Sequence, residues 1–135
     1  MTNPLRCLPP VLAAIGLGLP LWAEDAPDGA TIFAMTCAAC HGEAAHGDGP
    51  MAGILTVPVP DLTGLAAGNG GAFPWLRTLH VVDGRTGLRG HGAPMPLFGE
   101  LMKGDIVAAD APDGSPVFVS ARVLAVVEWL ATIQQ

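Results

Sequence analysis

The sequence predicts an all-α fold whose few short helices pack around something other than their own side chains. Three observations carry this. Apolar residues recur at helical spacing before residue 41 and again beyond 120, and a Gly- and Pro-rich middle separates them. The 135 residues include 18 Gly and 13 Pro but no Tyr, so little material is left for long elements or a large core. Finally, Cys37 and Cys40 lie only three positions apart and cannot staple distant segments. Small exported domains with a thin core rely on disulfides, a metal or another rigid insert.

The first segment reads as a cleaved secretory signal. Arg6 precedes an uncharged run from Cys7 to Ala23, and Glu24-Asp25 follow it. That run of 17 residues is broken by three prolines and two glycines. A membrane-spanning helix needs ~20 apolar residues. Cleavage is placed after Ala23, so that 1–23 is the signal and 24–135 one domain; an uncleaved anchor is the alternative. Loss of Arg6 takes the six bases to five and the formal charge from −6 to −7. No basic patch remains to displace counterions from nucleic acid, which excludes that class of partner. An acidic surface favours a basic docking partner.

Asp28 is a helix N-cap, and Ile32, Phe33, Thr36 and Cys37 give a helix over 29–41 an apolar stripe. Cys37-Ala38-Ala39-Cys40-His41 ends it. This C-x-x-C-H pattern attaches c-type haem covalently. Two thiols one helical turn apart reach the vinyl groups on one side of a porphyrin, and the adjacent imidazole meets the iron. A thioredoxin-type redox pair would need a βαβ context, and a zinc site a second pair of ligands; the sequence offers neither.

Residues 42–72 read as loop, a length that suits a chain wrapped around haem. Pro74 opens a helix to about Val82, and Asp83-Gly84 ends it. A short helix is expected around Leu97–Met102. Between 104 and 119, Ile106-Val107-Ala108 and Pro116-Val117-Phe118-Val119 flank Asp110-Ala111-Pro112-Asp113-Gly114, a small β-hairpin. Ser120 caps the last helix, in which Val123, Val127, Leu130 and Ile133 recur with Trp129 beside them.

From about Gly29 to Ile133 the chain resembles the small monohaem class I c-type cytochromes of bacteria. Thr31–Gly42 is similar to the family's first helix and attachment site. Gly47-Asp48-Gly49-Pro50 resembles the loop that follows, Pro60-Asp61-Leu62-Thr63 a Pro-Asp-Leu segment, and Gly92–Gly99 the loop bearing the second axial ligand. The resemblance implies the class I cytochrome c fold, with three to five helices around one covalently bound haem and the hairpin at 104–119 as an insertion. It also implies that the last helix crosses the first, with Gly29 against Trp129. The proximal imidazole normally donates its second N–H to a carbonyl. By resemblance that carbonyl belongs to Pro60, with Pro58 as the alternative.

Met95 is the expected sixth ligand. It follows His41 by 54 residues, and Pro94 and Pro96 restrict the backbone on both sides. Met35 lies on the proximal helix, Met51 lies only ten residues beyond His41, and Met102 reads as core. His91 is the rival; His46 is too near the motif, and His80 reads as a surface or supporting residue of its helix. Trp75, Arg77 and Arg85 carry donors suited to haem propionates.

These readings describe a periplasmic one-electron carrier rather than an enzyme, with metal ligands His41 and Met95 and haem c joined through Cys37 and Cys40. Its partners would be redox proteins with a basic docking face; no nucleic acid and no stable membrane span are expected. Two alternatives are an electron-entry subunit of a larger oxidoreductase and a haem enzyme or sensor that binds a small ligand at a labile sixth position.

Overall fold

The computed structural model describes residues 28–85 and 101–135. The segment 1–23, the loop carrying His91 and Met95, and most of the helix expected around 97–102 lie outside the described residues.

Helix α1 spans Gly29–Thr36. Asp28 caps it, accepting the Thr31 N–H at 2.9 Å. Gly29, Ile32, Phe33 and Thr36 form its buried face. The single helix expected over 29–41 is interrupted at Cys37 (φ −115°, ψ −34°), and α2 resumes over Ala38–His41. Just before Cys37 the Thr36 hydroxyl donates 2.7 Å back to the Ile32 carbonyl, a kind of bond that bends helices, while the Cys37 N–H keeps its bond to the Phe33 carbonyl at 2.8 Å.

Beyond Gly42 (φ 78°) the chain makes two short 3₁₀ turns, at Ala52–Ile54 and Ala67–Asn69. Helix α3, Trp75–Val82, follows Pro74 and stops at Asp83, as its sequence signals predict. Thr78 and Leu79 are its buried residues.

Strands β1 (Ile106–Asp110) and β2 (Pro116–Ser120) pair antiparallel, with Ile106 opposite Ser120 and Ala108 opposite Phe118. The Ala111 carbonyl accepts the Gly114 N–H at 2.8 Å, and Gly114 turns left-handed (φ 82°). Asp113 holds the far side through the Ser115 N–H and hydroxyl. This is a type I turn followed by a left-handed residue, a common hairpin closure. Val117 and Val119 are buried on the inner face.

Ser120 caps α4, Ala121–Thr132, accepting the Arg122 N–H at 3.2 Å. Val123, Val126, Val127 and Leu130 are buried. Helix α4 crosses α1 closely: a methyl on Gly29 would overlap the Ala125 carbonyl and Trp129 Cβ. Phe33 and Trp129 stack at 4.6 Å between centroids, tilted by 42°. The crossing expected between Gly29 and Trp129 is present.

Candidate haem-attachment site

The candidate attachment residues sit at the junction of the helices. His41 is 7% exposed, and its ring lies 6.4 Å from that of Phe33. It lines a cavity with Phe33, Cys37, Leu62, Thr78, Val82, Val126 and Leu130. Phe33 comes from α1, His41 from α2, Thr78 and Val82 from α3, Val126 and Leu130 from α4, and Leu62 from the 42–72 loop. The wall is apolar apart from Thr78 and His41, and the Thr78 hydroxyl is turned to the Pro74 carbonyl at 2.9 Å.

Cys37 is half-buried with its sulfur 3.3 Å from the Thr36 hydroxyl. Burial pushes its thiol pKa up, and the neighbouring Cys40 adds to this; the Thr36 hydroxyl opposes it. Cys40, also half-buried and not disulfide-bonded, lies one turn on.

The loop after the motif is tied directly to it. A helix end leaves its last carbonyls without partners inside the helix. Here the N–H groups of Met51, Gly49 and Gly47 donate to Ala39, Cys40 and His41 at 2.8, 3.1 and 2.8 Å. Gly49 has no room for a side chain, since a Cβ would come within 2.6 Å of the Ala38 and Ala39 carbonyl oxygens. Ala45 is fully buried in the left-handed region (φ 63°), and its carbonyl accepts the Leu62 N–H at 2.8 Å. The Pro60–Thr63 segment is thereby fastened beside the motif. Gln134 secures the other side, donating to the Leu62 carbonyl and accepting the Ala66 N–H, both at 2.9 Å.

A cytochrome c family model matches residues 26–103, more than half of the chain. The chain belongs to the cytochrome c family. This cytochrome therefore carries the family's covalent haem c and its haem-based electron transfer, and Cys37, Cys40 and His41 occupy the attachment motif. Neither the curated proteins nor the solved structures gave a match. Cytochrome c domains are typically exported, and among the described residues no helix is long and apolar enough to cross a membrane.

The residues present suit haem. The Cys37 thiol and the buried His41 imidazole line an apolar cavity, with the Cys40 thiol one turn on, surroundings that suit a macrocycle with one axial histidine. Among the described residues no group of three or more His, Cys, Asp and Glu is gathered at metal-ligand spacing, so the zinc alternative finds no further ligands there.

The remaining candidates are dispersed. Arg77 and Pro60 line a second groove with Leu62, Asn69 and Thr78; Leu62 and Thr78 also wall the His41 cavity. Trp75 instead faces a groove formed with Phe73 and the hairpin tip, Ala111–Asp113. The Arg85 guanidinium is engaged by the Asp83 carboxylate and the Phe118 carbonyl. Sequence reasoning missed Leu62, Thr78, Val82 and Val126 in the cavity wall. Thr78, Val82 and Val126 lie in segments expected to be helical, and Leu62 in the Pro-Asp-Leu segment of the loop, but no local pattern marks them as neighbours of His41.

Proposed function

We propose that the cytochrome is a periplasmic one-electron carrier with one haem c, held through Cys37 and Cys40 and ligated by His41 and Met95. The observation that carries this reading is the buried His41 imidazole, set with Cys37 in an apolar cavity to which α1, α2, α3 and α4 all contribute. When bound, haem supplies a ferric–ferrous couple. Phe33, Leu62, Val82, Val126 and Leu130 keep water from the imidazole face, which favours the less charged, reduced state. A thioether from Met95 works in the same direction. Retention of both ligands in both states would leave the side chains little to rearrange. Pro60 or Pro58 would orient His41 through a backbone carbonyl.

Arg77 is the propionate donor best supported, because its groove adjoins the His41 cavity. Trp75 and Arg85 have other neighbours. The net charge of −6 favours basic redox partners.

The test is the optical spectrum of the purified holoprotein. A sulfur-to-ferric charge-transfer band should be present and should vanish in Met95→Ala. The reduced wild-type protein should resist carbon monoxide, and the variant should bind it. Ready binding by the wild type, without the charge-transfer band, would support the ligand-binding enzyme or sensor instead.

A further inference from the structure

The family match ends at residue 103, before β1 begins. The hairpin beyond it is unevenly used. Its inner residues Val117 and Val119 belong to the buried core that also holds Val126 and Leu130 of the His41 cavity wall. Its outer face is apolar yet exposed: Ile106 is 69% and Phe118 63% accessible, with exposed Ala108 opposite Phe118. Ile106 and Phe118 are diagonal neighbours in this register, close enough for one partner group to touch both. Leu101, 51% accessible, lies toward the base of the hairpin, where Ser120 and Arg122 donate to the Met102 and Leu101 carbonyls.

We propose that this outer face, centred on Ile106, Ala108 and Phe118, is a docking surface for a redox protein that offers an apolar cleft with basic groups on its rim. The inference rests on the electron-carrier reading. Charge selects the rim. Asp105, Asp110 and Asp113 are all exposed on the hairpin, and the whole chain is at −6. Of the nearby bases among the described residues, Arg85 is paired with Asp83 and donates to the Phe118 carbonyl, while Lys103 and Arg122 stand at the Leu101 end, away from the tip that Asp110 and Asp113 flank. Area selects the kind of encounter. Three large side chains fall well short of the ~800 Å² per partner of a standard stable interface but suit a transient redox contact. Both arguments disfavour a second copy of this chain, which would bring another −6 to the interface.

The experiment uses the holoprotein with a photo-crosslinking phenylalanine analogue at position 118, irradiated in its own cells. A control protein carries the analogue at Glu128. The captured protein is identified and purified, and its electron exchange with unmodified holoprotein is followed by stopped flow. The expected partner contains a redox centre and is captured from position 118 but not from 128. Exchange should slow at least about tenfold in Ile106→Ser/Phe118→Ser, as for loss of a central interface anchor. It should slow also in Asp110→Lys and as salt rises. Both variants should keep the wild-type spectrum and the wild-type rate with a small inorganic oxidant such as ferricyanide.

Failure to capture a redox protein from position 118, capture of a second copy, or exchange indifferent to both variants would overturn the proposal. A wild-type holoprotein that fails to exchange electrons with ferricyanide would instead overturn the carrier reading.

Discussion

Asp61 ties two loops together with one exposed carboxylate. It accepts the Thr63 hydroxyl at 2.7 Å and the Thr63 N–H at 2.8 Å, and it lies 3.3 Å from His46 Nδ1. The Thr63 bonds are the main reason its pKa lies below the ordinary carboxylate value, with His46 adding to them. Asp28 and Asp113 are lowered in the same way, through Thr31 and Ser115. A lowered carboxylate pKa adds stability that is complete above the unfolded value of ~3.9 and is lost as pH falls through the folded value. The melting temperature of the holoprotein should therefore fall on acidification below about pH 4. Asp61→Asn should flatten that dependence, because an amide still accepts from Thr63 but does not titrate there. An unchanged slope in thermal melts over that range would remove Asp61 from the linkage. The motif formed by Cys37, Cys40 and His41 can be read at this scale because local spacing defines it. The interruption at Cys37 cannot, since a Thr that bonds back to the preceding turn is compatible with an unbroken helix, as Thr78 is in α3.

At the scale of elements, Ser120 joins β2 and α4 to the turn that precedes the hairpin. It ends β2, its Oγ accepts the Arg122 N–H to cap α4, and it donates 2.6 Å to the Met102 carbonyl. Ser120→Ala removes the cap and leaves that carbonyl without its buried donor. The expected loss is ~1–2 kcal/mol in chemical denaturation, with the optical spectrum unchanged. A loss below ~0.3 kcal/mol would show that water replaces both bonds. The elements that the sequence revealed carry such local signals: Asp28 before α1, Pro74 and Asp83-Gly84 around α3, Asp113-Gly114 in the hairpin and Ser120 before α4. The 3₁₀ turns at 52–54 and 67–69 are too short to show periodicity. The Gln134 bonds to Leu62 and Ala66 span about seventy residues, and no local pattern announces them. Val126 was missed for a related reason: whether it is buried depends on α1 and α3 arriving beside α4.

For the molecule as a whole, the small core sets the dependence on haem. Among the described residues Phe33 is the one aromatic buried below a tenth of its surface; the other large buried side chains are aliphatic. A group that binds only the folded state stabilises it by mass action, and a covalent one does so permanently. Cys40→Ser should mature poorly and retain less haem per chain. Its haem-free fraction should melt ~20 °C or more below the holoprotein, a loss of several kcal/mol in a domain of this size. Circular dichroism with a pyridine haemochrome count on the same sample measures both quantities. A normal haem complement and spectrum in Cys40→Ser would remove that thiol from the attachment.

The crossing of α1 and α4 joins positions a hundred residues apart, Gly29 and Trp129. Until α4 docks, the Phe33 face lacks its Trp129 partner and α1 is too short to persist alone. Closure of the His41 cavity therefore waits on a contact between distant parts of the chain, because Val126 and Leu130 reach its wall only with α4 in place.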